Sequence, residues 1–267
     1  MQITATIVLY KNSSSVLKDA IESFLKTELN VRLYLIDNSP TDELRSLYDD
    51  PRIEYIFNNA NLGFGAAHNI GIIRSHQIHA EYHLILNPDV YFLPGTLEKI
   101  YSFLNINQNF GLLMPKVSYP DGSIQYLCKR PPSLSILVLR RFMPSFVQNL
   151  FKRKLDKFEY KDHDYDEIIR NVPYLSGCFM FFRNSVLKKV GNFDERIFMY
   201  MEDADITIRT LKIADTVYYP DAQIIHHFAK GSYKNVKLMY YNIQGAVIYF
   251  QKWGWNLNRD FSKDHIV

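Results

Sequence analysis

The sequence contains few cysteines and no long apolar segment. Only Cys128 and Cys178 occur among the 267 residues, and they form no CxxC pair. Two isolated cysteines supply neither a disulfide framework nor a zinc site, so we expect a reducing compartment. No stretch approaches the ~20 apolar residues that a membrane-spanning helix requires, and residues 1–15 carry no basic leader typical of a signal peptide. These absences predict a cytoplasmic protein that is soluble or peripheral to a membrane.

Two common nucleotide-binding signatures are also missing. No GxGxxG follows the first predicted strand and no GxxxxGK[ST] occurs, which argues against a nicotinamide cofactor and against a P-loop NTPase. A sugar-nucleotidyltransferase normally needs a glycine-rich basic loop after the first strand, and residues 9–15 contain no glycine. The formal net charge of +3 is too small to indicate a nucleic-acid partner by itself.

The first half of the chain alternates between β-rich and helical segments. Apolar runs of strand length occur at residues 3–10, 31–36, 53–57 and 82–86, with helical spacing between them. Such alternation predicts βαβ units and a mostly parallel sheet with helices on both faces. Three of the strands end in polar residues, namely Lys11-Asn12, Asp37-Asn38 and Asn87-Pro88-Asp89. Because ligands bind beyond the carboxyl ends of parallel strands, these residues predict one binding rim.

The second half of the chain follows a different pattern. Pro120-Asp121-Gly122 predicts the turn of a β-hairpin. A strand at residues 174–182, a helix beginning near Glu202, a β-rich segment at 223–225 and a last helix at 236–253 follow. An insertion at residues 128–172 interrupts this order.

The insertion is basic, since residues 129–161 hold nine Lys or Arg against two acidic residues. Within it, residues 134–157 interleave apolar and basic side chains. Such a segment can lie in a membrane interface and attract anionic headgroups. Solvated charges on a helical subdomain, or a contact in a homodimer, explain the composition equally well. The sequence leaves these three alternatives open.

Several polar clusters are candidates for chemistry, and each has a structural alternative. Asp89 follows a buried strand and could ligate a divalent cation, or it could only cap a turn. Glu202, Asp203 and Asp205 stand at a helix start, where acidic residues are common because they complement the helix dipole. Asp205 is also spaced for an ion pair with Arg209.

Two further clusters follow predicted strands. His226 and His227 are adjacent on a strand and therefore point to opposite faces, so at most one reaches a shared site. Asp37-Asn38 could hydrogen-bond a nucleobase or simply cap a strand.

The order of these clusters is more specific than any one of them. The series is TIVLY at 6–10, LIDNS at 35–39, NLGFGAAHNIG at 61–71, LNPD at 86–89, LSG at 175–177, EDAD at 202–205 and His226. It strongly resembles the family 2 inverting glycosyltransferases, most closely the bacterial rhamnosyltransferase branch, with galactofuranosyltransferases nearby. The resemblance covers roughly residues 3–232 in the family's order.

The resemblance implies a GT-A fold: a Rossmann-like, mostly parallel central sheet with flanking helices, here with a basic helical insertion. Residues 1–115 would form the nucleotide-sugar-binding half and 116–232 the acceptor and catalytic half, with the insertion at 128–172. Residues 233–267 would form a C-terminal helical extension.

The resemblance also implies roles for individual residues. The catalytic base would be Asp203, with Glu202 positioning the acceptor. Asp89 would ligate Mg²⁺ or Mn²⁺, and His226 would help hold the metal and diphosphate. The family's usual Asp-x-Asp reads Asn-Pro-Asp here, so a single carboxylate ligand remains. Donor-binding roles would fall to nine residues: Tyr10, Asp37, Asn38, Asn61, Gly63, Asn69, Asn87, Ser176 and Gly177.

The expected reaction is transfer of a sugar, with inversion, from a nucleoside-diphosphate donor to a glycan or polyprenyl-diphosphate-linked acceptor in bacterial surface polysaccharide synthesis. By resemblance the first candidate donor is dTDP-rhamnose. A galactofuranosyl or other hexosyl transfer from a UDP-sugar is the enzymatic alternative, and a sugar-nucleotide or glycan-binding module is the non-enzymatic one.

Overall fold

The computed structural model describes residues 1–47, 49–227 and 236–255, without the side chain of Leu47. Three parts of the chain lie outside the described residues: Tyr48, where the sequence predicts the end of a short helix that begins at Asp42, the junction at 228–235, and residues 256–267 of the expected C-terminal extension. The strands β1–β11 are Ile3–Leu9, Val31–Asp37, Ile53–Phe57, Tyr82–Leu86, Val90–Phe92, Phe110–Ser118, Cys128–Lys129, Ile169–Arg170, Tyr174–Leu175, Phe179–Arg183 and Asp215–His226. The helices α1–α9 are Ser14–Leu25, Phe64–Gln77, Thr96–Ile106, Leu134–Phe142, Ser145–Leu150, Lys152–Phe158, Asn184–Val190, Glu202–Leu211 and Val236–Trp253. A 3₁₀ helix spans Glu43–Leu47.

One large sheet forms the centre of the molecule, in the order β3-β2-β1-β4-β10-β6-β11-β5, with β8 paired to β11. The strands β3, β2, β1 and β4 are mutually parallel, and β11 is parallel to β6. β10 runs antiparallel to both of its neighbours, and β5 runs antiparallel to β11. The predicted α/β fold with a central, mostly parallel sheet is confirmed.

The two faces of the sheet are covered differently. On one face, α1 and α3 contribute to a large apolar core with the strands, and Leu17, Phe24 and Leu97 are almost completely buried there. α2 contacts β1, β2 and β4. A Cβ at Gly71 of α2 would lie 1.7 Å from Thr6 Oγ1 of β1. Only glycine therefore allows α2 to approach the sheet this closely, which explains its small-residue composition.

The prediction of one continuous strand at 174–182 is wrong. The strand is broken at Ser176-Gly177-Cys178, so that β9 pairs with β7 in a separate two-stranded sheet and β10 joins the main sheet. The predicted hairpin is present but short. In its turn the Gly122 N–H donates to the Tyr119 carbonyl at 2.9 Å. Beyond the turn, an antiparallel bridge joins Ser118 and Ile124, and the Gln125 N–H donates to the Val117 carbonyl at 2.8 Å.

The last described helix packs against α8. Tyr249, Phe250 and Trp253 of α9 bury their rings beside Ala204 and Ile208 of α8 in a second apolar cluster. None of the helices within the described ranges combines the length and apolarity that a bilayer crossing needs.

Candidate active site

A cleft of about 500 Å³ opens beyond the carboxyl ends of β1, β2 and β4. The segments that follow these strands line the cleft, together with the start of α2 and Met199 from the segment before α8. The sequence predicted a binding rim at this edge of the sheet. Its lining residues are Val8, Tyr10, Lys11, Asn12, Ser13, Val16, Asn38, Asn61, Gly63, Phe64, His68, Asn87, Pro88, Asp89 and Met199. Five of the nine predicted donor-binding residues are among them.

A hydrogen-bonded group of amides forms one wall of the cleft. Asn38 Nδ2 donates to the Gly63 carbonyl at 3.1 Å, and Asn38 Oδ1 accepts from Asn58 Nδ2 at 2.8 Å. The Gly63 N–H donates to Asn61 Oδ1 at 3.0 Å. Gly63 has a φ of +84°, and a Cβ there would lie 2.3 Å from the Phe198 carbonyl oxygen. This wall is therefore fixed in position before any ligand binds.

Two predicted donor-binding residues support the cleft from behind. Asp37 is fully buried, and its carboxylate accepts hydrogen bonds from the Ser39 N–H at 2.7 Å and from the Tyr55 hydroxyl. Burial and the neighbouring Asp37 raise the pKa of Tyr55 well above its usual value. Asn69 is buried and bonds the Phe193 carbonyl and Glu195 Oε1. Neither side chain lines the cleft, whereas the ring of Tyr10 is 47% exposed at its edge.

The two predicted metal ligands meet at the end of β4. His226 Nε2 lies 3.4 Å from Asp89 Oδ1, and His226 is buried. Burial lowers the pKa of His226, but interactions with Cys178 and Asp89 outweigh burial and raise it to about 10. The ring of the adjacent His227 stacks on Tyr91 instead, with centroids 5.3 Å apart. Only one of the two histidines thus faces Asp89, as the strand geometry predicts.

This pair fits two ligands of one divalent cation. Ligands at right angles on bonds of about 2.1 Å are separated by roughly 3 Å, close to the observed spacing. Within the described part of the chain no group of three or more His, Cys, Asp or Glu side chains could hold a metal. The protein would therefore supply two ligands, and phosphate oxygens and water would complete the coordination.

Asp203 stands in the first turn of α8, at the break between β9 and β10. Its Oδ2 accepts the Gly177 N–H at 3.0 Å and its Oδ1 accepts the Ala204 N–H at 2.9 Å. Burial raises the pKa of Asp203, and the nearby Lys129 ammonium and these hydrogen bonds partly oppose that shift. The neighbouring Glu202 is buried, and burial together with Asp203 raises its pKa well above the usual value. In both carboxyls, burial therefore favours the neutral form over the charged one.

The break in the strand brings Asp203 next to the cleft. A Cβ on Gly177 would lie 3.3 Å from the ring of Phe64, which lines the cleft, and 3.4 Å from the Asp203 Cβ. On the other side, the Cys178 carbonyl accepts the Asn87 N–H at 2.9 Å. A carboxyl that can accept a proton and an Asp–His pair that can hold a cation thus flank one three-residue segment.

Residues 5–191 match glycosyl transferase family 2. The chain belongs to this family. The N-acetylglucosaminyl-diphospho-decaprenol L-rhamnosyltransferase of Mycobacterium tuberculosis is 31% identical over 219 residues, 78% of this chain and 70% of the relative. Rhamnosyltransferase WbbL of Escherichia coli K12 is 23% identical over 229 residues, 84% of this chain and 82% of the relative. The chain is a glycosyltransferase, and the predicted resemblance is confirmed.

Solved structures show the same fold. Mannosyltransferase PcManGT from Pyrobaculum calidifontis, in complex with GDP-Man and Mn²⁺, is 16% identical with a TM-score of 0.58, covering 97% of this chain and 66% of that one. GalNAc-T7 with UDP, GalNAc and Mn²⁺ is 13% identical with a TM-score of 0.61, covering 84% of this chain and 43% of that one. The chain spans no more than about two thirds of either structure. Divalent metal accompanies the sugar nucleotide or nucleotide in both.

Some site residues of this glycosyltransferase are not evident from the sequence. Lys129 is one of the basic residues of the insertion. Its ammonium lies over the Tyr174 ring, 4.7 Å from the centroid, and its charge lowers the pKa of Asp203. Gln125 bonds His226 at 3.0 Å. Neither residue belongs to a motif, and only the pairing of distant segments reveals them.

Asp205 has a structural role, although it belongs to the same acidic run. It is fully buried, and its carboxylate accepts from Arg209 Nε at 2.9 Å, Lys252 Nζ at 2.7 Å and Trp253 Nε1 at 2.8 Å. The predicted ion pair with Arg209 is present. Because Lys252 and Trp253 belong to α9, Asp205 joins α9 to α8.

We predict that two matched substitutions lower the stability of this glycosyltransferase to very different extents. Asp205→Asn removes the charge that two cations share in the interior and should lower the free energy of unfolding by roughly 3 kcal/mol. Asp203→Asn should cost much less, because burial already disfavours the Asp203 carboxylate. Urea unfolding at neutral pH measures both changes. Equal losses of stability would contradict this division between a structural and a reactive carboxyl.

Proposed function

We propose that this glycosyltransferase moves a sugar from a nucleoside-diphosphate donor to an acceptor hydroxyl with inversion at the anomeric carbon. The observation that carries the proposal is the placement of Asp203 beside Gly177, next to a cleft that is lined by Asp89, the partner of the buried His226. The cleft is large enough for a nucleotide-sized ligand. Two relatives are rhamnosyltransferases, which supports rhamnose as the transferred sugar. The donor that we propose first is dTDP-rhamnose. A UDP-sugar, such as UDP-galactofuranose, is the alternative.

In this proposal Asp203 acts as the general base. Inversion requires the acceptor oxygen to attack from the face opposite the diphosphate, so a base and a diphosphate-binding group must lie on opposite sides of the sugar. Asp203 would take the proton of the attacking hydroxyl, a contribution of ~10²–10⁴ in rate for a positioned base. The Gly177 and Ala204 N–H groups fix its carboxylate. Glu202 beside it, when protonated, can donate a hydrogen bond to the acceptor.

The leaving diphosphate would bind at the other side of the cleft. Asp89 and His226 would hold Mg²⁺ or Mn²⁺, and the ion would supply charge that stabilises the departing diphosphate. Tyr10 at the edge of the cleft can stack on the base, and the amides of Asn38 and Asn61 can contact the nucleoside. Asn87 lies beside Asp89, while Ser176 and Gly177 would lie under the sugar. Asp37 and Asn69 hold the surrounding loops.

The insertion supports a lipid-linked acceptor. Its helices α4 and α5 expose a row of large apolar side chains: Leu134, Val138, Phe142, Met143, Phe146, Leu150 and Phe151. Lys152, Arg153 and Lys154 follow directly at the start of α6. Such a surface suits an interface with anionic lipids, so we propose that residues 134–157 contact the membrane from its cytoplasmic face. A polyprenyl-diphosphate-linked glycan would then reach the cleft from the bilayer.

We predict that dTDP or UDP stabilises the protein and that Mn²⁺ increases the effect. A ligand at ~100 times its dissociation constant adds ~2.7 kcal/mol of stability, which thermal unfolding detects. In Asp89→Asn the nucleotide should still stabilise the protein, but the additional effect of Mn²⁺ should be lost. GDP and NAD serve as controls. Absence of stabilisation by any pyrimidine diphosphate, with and without Mn²⁺, would contradict the proposed donor class.

We predict that Lys129→Met shifts the acidic limb of the kcat/KM profile to higher pH. The Lys129 charge lowers the pKa of Asp203, so its removal leaves burial less opposed and the base protonates at higher pH. Lys129→Arg keeps the charge and should keep the limb in place. If both variants and the wild type share one acidic limb, Asp203 is not the group that sets it.

We predict that the protein co-sediments with vesicles containing phosphatidylglycerol, and less with pure phosphatidylcholine. Leu150→Ser on the exposed row should reduce this binding, and replacement of Lys152, Arg153 and Lys154 by Gln should reduce it further. Ile106→Ser is a matched control, because Ile106 is 82% exposed and Leu150 79%, and Ile106 lies on α3 outside the insertion. Unchanged sedimentation of the insertion variants would favour the solvated subdomain.

A further inference from the structure

Gln125 is a buried polar side chain whose amide group is engaged by His226 and Ser118. It lies after the turn at Gly122, and its own N–H donates to the Val117 carbonyl of β6 at 2.8 Å. Its Nε2 donates to the His226 carbonyl at 2.7 Å, and its Oε1 lies 3.0 Å from His226 Nδ1. The same Nε2 lies 3.4 Å from the Ser118 carbonyl. Gln125 thus binds both the backbone carbonyl and the ring of His226.

These contacts decide the orientation of the amide and of the ring. The two carbonyl oxygens only accept hydrogen bonds, so the Gln125 NH₂ group must face them and Oε1 must face the ring. Because Oε1 only accepts, His226 Nδ1 must carry a proton. The remaining ring nitrogen, Nε2, is then the one directed at Asp89 Oδ1, 3.4 Å away.

The position of Gln125 stabilises this orientation of the His226 ring. His226 is the last residue of β11 and pairs with Val90 of β5, and the next residue, His227, donates its N–H to the Asp89 carbonyl at 3.0 Å. Gln125 is 4% exposed and is anchored through its backbone to the neighbouring strand β6. Rotation of the His226 ring would leave the Gln125 Oε1 buried without its partner, which costs about 1–3 kcal/mol.

We propose that Gln125 is a positioning residue that holds His226 Nε2 and Asp89 Oδ1 toward one cation. The inference rests on the proposed function of Asp89 and His226 in holding metal and diphosphate. Outer partners that orient a metal-ligating histidine typically contribute 10–100-fold to metal affinity. Gln125 does not touch the donor or the acceptor in this account and acts only through His226.

The test is Mn²⁺ affinity, measured by electron paramagnetic resonance with saturating dTDP or UDP, whichever raises the unfolding temperature of the wild type. Gln125→Met keeps the length of the side chain and removes both hydrogen bonds. It should weaken Mn²⁺ binding 10–100-fold, while the affinity for the nucleotide without metal stays within about twofold. Gln108→Met, at an exposed glutamine in the turn between α3 and β6, is the matched control and should bind Mn²⁺ like the wild type.

A double-mutant cycle separates positioning from a general loss of structure. In a His226→Ala background, Gln125→Met should have no further effect on Mn²⁺ affinity, because the residue that it positions is gone. Equal effects of Gln125→Met in both backgrounds would overturn the inference, as would wild-type Mn²⁺ affinity in Gln125→Met. If Asp89→Asn also bound Mn²⁺ like the wild type, the proposed metal site itself would fail. A weakened Asp89→Asn beside an unchanged Gln125→Met would overturn only the role of Gln125.

Discussion

The hydrogen bond from the Gly177 N–H to Asp203 is the interaction on which the arrangement of the site depends. The bond is available because the chain leaves one sheet after Leu175 and enters another at Phe179, so Gly177 is not paired in either ladder. Its lack of a side chain matters equally, since Phe64 and Asp203 approach it from two sides. One glycine between two strands therefore places a carboxyl beside the donor cleft and separates it from Asp89.

The rest of the second half holds that carboxyl in place. α8 begins at Glu202, and α9 is tied to it through Asp205, which binds Lys252 and Trp253. The apolar contacts of Tyr249 and Phe250 complete the attachment. The acidic run at the start of α8 thus contains three different environments: a buried Glu202 with a raised pKa, a hydrogen-bonded Asp203 and an ion-paired Asp205. Burial and specific partners, rather than residue type, distinguish them.

The sequence was sufficient where local signals decide the structure. The strands Ile53–Phe57 and Tyr82–Leu86 were predicted to the residue, because turn residues bound them, and the last helix was predicted at roughly its described range, Val236–Trp253. The broken strand was not predictable, since its apolar residues run continuously and the break depends on pairing with β7 and β4. The family motifs indicated the cleft, but not which side chains enter it. Asn69 is engaged by Phe193, which is 124 positions away.

The most direct test of this account is the acceptor-dependent release of nucleoside diphosphate by Asp203→Asn. The variant keeps the shape of the side chain, so donor binding should match the wild type. The account predicts that release falls by about 10²–10⁴-fold while the donor still binds, because an amide cannot take the acceptor proton. Release within about twofold of the wild-type rate would contradict the account. Asp203 would then not be the base, and its hydrogen bond with the Gly177 N–H would have no role in catalysis.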